Sequence, residues 1–426
     1  MQKRGGMRKR KIDPARAFPV IRRNRAVSHD IKQKRVALSK RLVLILFLLT
    51  FLLIYGGFHL HFFCRIRSAF GMSGGPGVVL ASFLLVGLIA PFIVRFAEEQ
   101  ECYFWARLMS ITGFYWMAFL MLFCSVSLFV EIYNLIAAAF ATHRHAGIFI
   151  PTAVVRFMIP AIASMILVIY GSFEARGLQT EFLVVHSPKI PKEIKRIRVL
   201  QISDVHIGGA AEDGHVAKIV RAARSLAPDV IVSTGDLVDG RGPYVSEAAS
   251  RFREVRPKWG KYAITGNHEF YLGVDEAMDF MRDAGFILLR NEGVTVGGLL
   301  DLVGADDPGG IANSPKQPFS EKDLLSGTER DHFKILLKHR PVVDKNAIGF
   351  FDLQLSGHTH KGQIFPFCLF TKIAFPYHAG DYRLPDGSLL HVSRGAGVWG
   401  PPIRVLAPPE ITVIDLVPGK NGSDGS

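Results

Sequence analysis

Three stretches of this 426-residue chain, 42–64, 68–94 and 108–130, contain no charged residue. Each reaches the length of about 20 residues that a helix needs to cross a bilayer. Three such runs so close together are not explained as buried helices of a soluble protein. A fourth run, 157–173, is shorter, and extending it upstream to Ile148 takes in Arg156, Pro151 and Pro160. An arginine near a helix end can snorkel to the headgroups, and spans tolerate proline. The sequence therefore predicts four helices, at about 42–62, 76–96, 108–131 and 149–172, forming an all-α transmembrane region over 42–172.

The formal net charge of +14 would suit a nucleic-acid partner, but its distribution does not. Residues 1–41 hold fifteen Lys and Arg against Asp13 and Asp30, so this segment carries nearly all of the excess. It stops directly against Leu42, which reads as a topology signal and a grip on anionic lipid headgroups. We expect a disordered cytoplasmic arm over 1–41 that touches membrane lipids, and no nucleic-acid partner. The positive-inside rule places Arg95 and Arg107 inside, and Arg65, Arg67 and Arg144 outside. Four spans return the chain to the cytoplasm; three would leave its C-terminal half outside. The first span is too long for a cleavable signal, and Arg22-Arg23 lies too far from it for a twin-arginine leader. Cys64, Cys102, Cys124 and Cys368 form no CxxC, so neither a disulfide framework nor a zinc knuckle is indicated.

From about residue 174 the composition turns soluble, with 173–195 read as a linker and 418–426 as a disordered tail. Strand signals at Val199–Ser203, Pro228–Ser233 and Phe286–Leu289 alternate with helical periodicity at His215–Leu226 and Val274–Ala284. This alternation predicts an α/β domain with helices covering a sheet, richer in β in its second half. Residues 196–417 suffice for one core, and no internal repeat is visible.

Five short motifs fall where these strand signals end: Asp204-Val-His206, Gly235-Asp236-Leu-Val-Asp239, Gly266-Asn267-His268-Glu269, His339, and Gly357-His358-Thr-His360. Strand ends are where an α/β sheet gathers ligand groups. Carboxylates, one amide oxygen and imidazoles without thiolate suit Mn, Fe, Zn or Mg rather than a structural zinc. The glycines permit tight turns and close backbone approach.

Taken together the motifs resemble the calcineurin-like metallophosphoesterase superfamily, whose pattern is DxH, GDxxD, GNH[DE], a lone His and GHxH. The resemblance covers roughly 196–417, with every ligand position intact. The closing stretch Ser393–Arg404, followed by Ala407-Pro-Pro-Glu-Ile411, is similar to a membrane-associated bacterial branch that includes phosphoesterases resembling UDP-2,3-diacylglucosamine pyrophosphatases. The resemblance implies a metallophosphoesterase-type α/β sandwich, two sheets flanked by helices, behind the transmembrane region. It implies that Asp204, His206 and His360 hold one divalent ion, that Asn267, His339 and His358 hold a second, and that Asp236 bridges them. Two cations about 3.5–4 Å apart share a hydroxide and clamp the phosphoryl oxygens during in-line attack. It further implies that His268 meets the substrate and protonates the leaving oxygen, with Asp239 orienting that imidazole. Asp239 reads equally well as a turn cap, and Glu269 need not touch a metal. His215, His332, His378 and His391 match no ligand position, His143 and His145 read as loop or interface, and Arg394 and Trp399 read as ordinary packing near the pocket.

The expectation is an integral membrane protein of a bacterial inner membrane with a cytoplasmic catalytic domain, a phosphohydrolase acting on a phosphorylated, lipid-linked substrate. An anchored nucleotide or phosphoprotein phosphatase competes within the enzymes, and a non-catalytic metal-binding sensor or scaffold competes outside them. Degenerate members of such families usually lose ligands, and this chain has lost none. A transporter rests on the helices alone. A reporter fused after residue 426 should read cytoplasmic; an external reading would exclude both the four-span topology and nucleotide-linked precursors.

Overall fold

The computed structural model describes residues 19–141, 149–208, 213–309, 320–329 and 331–419. Residues 1–18 of the basic arm, His143, His145 and residues 420–426 of the expected tail lie outside the described residues. The chain divides into two units, 1–61 and 62–426. Helix α1 (Pro19–Phe70) takes in residues 19–41 of the basic segment and continues past residue 62. Its stretch Leu48–Phe70 is long and apolar enough to span a membrane. Within the first unit the His59 ring nitrogen donates to the Tyr55 carbonyl at 2.8 Å, satisfying a polar group without solvent. The helix ends where Gly71 turns left-handed at φ 64° and donates its N–H to Arg67 O.

Helices α2 (Gly75–Glu99), α3 (Tyr103–Ala141) and α4 (Ala153–Ala175) lie in the second unit and are each apolar enough to cross a membrane. Pro76 stands in the first turn of α2, and the Thr152 hydroxyl caps α4 by accepting the Val155 N–H, so α4 begins after the expected start at 149. Gly113 of α3 faces Ala90 of α2 so closely that an added Cβ would lie 2.9 Å from the alanine methyl. Small residues of this kind let apolar helices approach in lipid. Phe62, Trp116, Phe123 and Phe157 pack edge to face or tilted, with ring centroids 5.0–5.7 Å apart. Arg156, the residue that weakened the fourth span in the sequence, is neutralised by Glu131 of α3 at 3.5 Å, and Glu131 also holds Arg65 at 2.8 Å. An ion pair, rather than snorkelling alone, makes this charge tolerable in an apolar helix.

The rest of the second unit is the expected sandwich. The first sheet has the order β1-β12-β2-β3-β4-β5, with β1 (Gln179–Ser187), β2 (Ile197–Ile202), β3 (Val230–Ser233), β4 (Lys261–Ala263), β5 (Ile287–Leu288) and β12 (Glu410–Pro418). All its pairs are parallel except β12 with β2. β1 lies in the stretch read as a linker, and its edge position leaves Phe182 and Val184 exposed. The second sheet runs β10-β11-β9-β8-β7-β6, with β6 (Glu292–Val296), β7 (Leu300–Ala305), β8 (Phe333–Lys338), β9 (Leu353–Ser356), β10 (Gly380–Arg383) and β11 (Leu389–Val392).

Between the sheets, Val199, Val230, Val232, Leu302, Ile335 and Leu355 form a fully buried layer. The outer face of the first sheet is covered by α5 (Asp213–Leu226), α6 (Pro243–Arg253) and α8 (Val274–Asp283), through Ile219, Phe252 and Met281. Burial on both faces explains why the central strands read as continuous apolar runs rather than alternating ones.

The sandwich is seated on the membrane-capable helices. Ile364, Ile403 and Val405 share a buried cluster with Ala118 and Leu122 of α3 and Val168 of α4. Gly171 of α4 accepts the Arg404 N–H at 3.0 Å, and Glu174 accepts the N–H groups of Leu406 and Ala407 at 3.2 and 2.7 Å. A Cβ at Gly171 would lie 2.9 Å from Arg404 O and 3.1 Å from Ile403 Cβ. Gly171→Val should therefore separate the two layers and destabilise the protein by about 1–3 kcal/mol, read as a lower Tm in detergent. An unchanged Tm would mean the contact is loose.

Candidate metal centre

Every expected site residue lies just past the C-terminal end of a strand. Asp204 and His206 follow β2, Asp236 and Asp239 follow β3, Asn267 and His268 follow β4, His339 follows β8, and His358 and His360 follow β9. Both sheets thus deliver loops to one edge of the sandwich. The loops are laced by backbone bonds: His206 N donates to Asp236 O, and His358 N to the Asp204 carboxylate, each at 3.0 Å. His268 N donates to Asp236 Oδ1 at 2.8 Å.

Two groups emerge. In the first, His206 Nε2 lies 3.1 Å from His360 Nε2, and His360 Nε2 lies 3.5 Å from Asp204 Oδ1. In the second, His339 Nε2 lies 3.1 Å from both Asp236 Oδ2 and His358 Nδ1. Asp236 Oδ2 is also 4.0 Å from His206 Nε2, so one carboxylate faces both groups. A third group joins His206, Asp239 and His268. Asp239 Oδ1 lies 2.6 Å from His268 Nδ1, and Oδ2 lies 3.3 Å from His206 Nδ1, a second contact that the motif does not announce.

Three features test whether these residues fit divalent cations. Asn267 Oδ1 is buried without a hydrogen-bond partner among the described residues, a costly state for an amide oxygen unless something else binds it. His339 Nδ1 sits 2.9 Å from Thr234 O and His206 Nδ1 faces Asp239. Their donor N–H groups are thereby used, which leaves both Nε2 lone pairs turned to the centre. Asp204, His206, Asp236, His358 and His360 all have φ between 48° and 73°. Left-handed backbone at non-glycine residues costs of order 1–3 kcal/mol each and clusters at functional sites. The donor set fits.

The electrostatics point the same way. Burial opposes ionisation of Asp204 and Asp236, yet His360 beside the first and His339 beside the second hold both carboxyls well below the usual range. Burial would likewise lower His339, but Asp236 drives it up to about 10, so without a cation a proton sits where positive charge is wanted. Burial first, then the charge of His339, pushes His358 down to about 3. Burial takes His360 down to about 4 against the pull of Asp204, which leaves a neutral imidazole, the ligating form. For His268 the hydrogen bond and charge of Asp239 outweigh burial and raise its pKa.

The glycines act mainly by close approach. A Cβ on Gly357 would lie 2.1 Å from Asp204 Oδ2, and one on Gly266 would lie 2.2 Å from Asp236 Oδ1. Two residues that the motif reading named without a role support the site. Glu269 is fully buried and accepts the N–H groups of Asp236, Leu237, Val238 and Gly266 at 2.7–3.3 Å, tying two loops together. Burial and then the Asp236 charge raise it to about 7, against those N–H bonds. Arg404 is fully buried and donates to the carbonyls of Arg394, Gly395, Gly397 and Ala407, with Nη2 3.1 Å from His360 Nδ1.

Four histidines of the soluble domain outside the motifs are held structurally. His215 bonds Ala396 O, His332 Asp301, His378 Thr371, and His391 both Asp381 and Thr412. Arg394 pairs with Glu181 and Glu410. Trp399 sets its ring edge-on to His268 at 5.9 Å and so borders the site. Glu269→Gln would turn an NH2 toward backbone donors, each unsatisfied donor costing about 1–3 kcal/mol. Mn(II) affinity by calorimetric titration should fall about 10–100-fold; unchanged affinity would reduce Glu269 to a remote packing residue.

The family profile described as calcineurin-like phosphoesterase matches residues 197–362. The chain is 35% identical over 249 residues to an uncharacterized metallophosphoesterase of Aquifex aeolicus, covering 58% of this chain and 95% of that one. It is 31% identical to the uncharacterized metallophosphoesterase Cj0846 of Campylobacter jejuni, over 61% of this chain and 69% of that one. It is also 28% identical over 359 residues to a transmembrane protein with metallophosphoesterase domain of Bos taurus, covering 80% of each. With this relatedness and donor cluster, and with four helices able to cross a membrane, the chain belongs to the calcineurin-like metallophosphoesterase family and is a metal-dependent phosphoesterase of the membrane.

Proposed function

We propose that this chain is a membrane-anchored phosphohydrolase that cleaves phosphoester or pyrophosphate bonds of lipid-linked substrates on the cytoplasmic side. Residues 42–172 act as anchor and 196–417 as catalytic domain. Asp204, His206 and His360 hold one divalent cation, Asn267, His339 and His358 a second, and Asp236 serves both. The observation that carries this is the single Asp236 carboxylate facing two imidazole groups, together with the buried, unpartnered side-chain oxygen of Asn267. A bound pair of Mn, Zn, Fe or Mg ions supplies an acidified water and offsets charge on the phosphoryl oxygens. His268, whose pKa the hydrogen bond and charge of Asp239 raise against burial, is the proton donor to the leaving oxygen. Asp239 fixes the His268 tautomer while also orienting His206.

A membrane-borne substrate is supported by the seating of the site. Arg404 lies beside His360 while its own N–H bonds α4 at Gly171, so the closing loop rests on membrane-capable helices. A lipid pyrophosphate or a glycolipid precursor, presented at the bilayer surface, meets such a site without leaving the membrane. A soluble nucleotide or phosphoprotein gains nothing from that placement.

With Mn(II), the wild-type chain in detergent should hydrolyse bis(p-nitrophenyl) phosphate and lose activity to a chelator. Asp236→Asn should lower kcat about a hundredfold or more; turnover that survives intact would refute the mechanism. In vesicles, diacylglycerol pyrophosphate should be turned over faster than a soluble nucleoside diphosphate. The reverse preference would favour an anchored nucleotide phosphatase.

A further inference from the structure

Outside the four spans, exposed large apolar side chains concentrate beside the metal centre. The segment after the GHTH turn reads Ile364-Phe-Pro-Phe-Cys-Leu-Phe-Thr-Lys-Ile-Ala-Phe375, and it contains the helix α10 (Cys368–Ala374). No residue of α10 is buried, although most of it is apolar. Leu369, Phe370 and Ile373 lie on one face, and Ile373 is 81% exposed, while Phe365 and Leu406 extend the patch. A patch of this kind marks an interaction surface. Nothing among the described residues covers it.

The neighbourhood of α10 indicates what does. Ile364, directly upstream, is buried with Ile403 and Val405 against Ala118, Leu122 and Val168, within the apolar stretches of α3 and α4. Val168 precedes Glu174, the last acidic residue of α4, by roughly 9 Å along the axis at 1.5 Å per residue. The sandwich therefore reaches below the charged end of that span. Phe365 N–H bonds Val405 O at 3.2 Å, which fixes the start of the α10 segment to the same level. The charges agree: between Asp352 and Asp381 there is no acidic residue, while Lys361 and Lys372 flank the apolar face. Basic residues beside an apolar face suit anionic headgroups.

We propose that α10 lies in the boundary between headgroups and acyl chains of the chain's own membrane, with Leu369, Phe370 and Ile373 turned into the lipid. It is a second, monotopic attachment, at the depth of about 5–10 Å that interfacial helices reach. Its C-terminal neighbour Phe375 packs edge-on to His358 at 5.1 Å, so the attachment holds the GHTH turn at the lipid surface. This rests on the chain being a membrane protein, and it stands whether or not the substrate is a lipid.

The test uses the full chain with Cys64, Cys102, Cys124 and Cys368 replaced by serine, and Ile373→Cys labelled with an environment-sensitive fluorophore. The protein is reconstituted in phosphatidylcholine–phosphatidylglycerol vesicles that carry a doxyl-labelled phosphatidylcholine. Glu193→Cys, exposed near the opposite edge of the sandwich, is the control. Hydrolysis of bis(p-nitrophenyl) phosphate at the wild-type rate verifies the fold, because α10 takes no part in the chemistry. The label at 373 should be quenched several-fold more than the label at 193. Equal quenching would overturn the proposal, as would a label shielded from water yet unquenched by the doxyl lipid, which would mean a protein cover. Leu369→Cys gives the same reading if the variant at 373 does not fold.

Discussion

Asp204, Asp236, His206 and His339 are almost wholly buried within one small volume, and their mutual approach is the constraint on which the domain depends. A buried charge is costly unless it is paired and hydrogen-bonded. Here each carboxylate is answered twice, by an imidazole and by a backbone N–H from another loop. The backbone must bend left-handed at both carboxylates to achieve this. The apolar layer between the sheets supplies the rigidity that such strain requires, because its strands end together at one edge. Divalent cations held by these side chains would complete the balance, in place of a proton on His339.

Supporting residues extend this arrangement outward. Glu269 gathers the N–H groups of the Asp236 loop, and Arg404 gathers the carbonyls of the closing loop. Arg404 is also the link to the membrane-capable helices, since its backbone bonds α4 while its guanidinium reaches His360. At the other side of the site, the Arg107 guanidinium stands 6.0 Å over the Tyr244 ring, and Gly242 passes close to Tyr103. The helices are thus in contact with several of the loops around the chemistry.

Much of the site was legible because its motifs sit at strand ends, where residue type and local geometry are coupled. Asp204, His206, Asp236, Asp239, His268, His339, His358 and His360 come together in three groups past the strand ends, and Asn267 follows β4 at the same edge. What Glu269 and Arg404 do was not legible, although Glu269 completes GNHE and Arg404 ends the closing stretch. Their roles are made by backbone groups of distant loops, and backbone groups carry no sequence signal. The β1 strand was read as a linker because its partner is Glu410–Pro418, at the far end of the chain. Glu131 escaped notice because its value lies in meeting Arg65 and Arg156 from other helices.

The sequence by itself determined the reaction class and the membrane association. The first follows from the resemblance of the five ordered motifs to the calcineurin-like family, whose mixed O/N donors suit Mn, Fe, Zn or Mg, and the second from uncharged runs long enough to cross a bilayer. Only the tertiary structure decided how those two facts are joined. The seating of Ile364, Ile403 and Val405 on α3 and α4, the thread from Gly171 through Arg404 to His360, and the bare apolar face of α10 all depend on contacts between segments far apart in the chain. Such contacts are set by packing and hydrogen-bond geometry in three dimensions, and no local pattern encodes them.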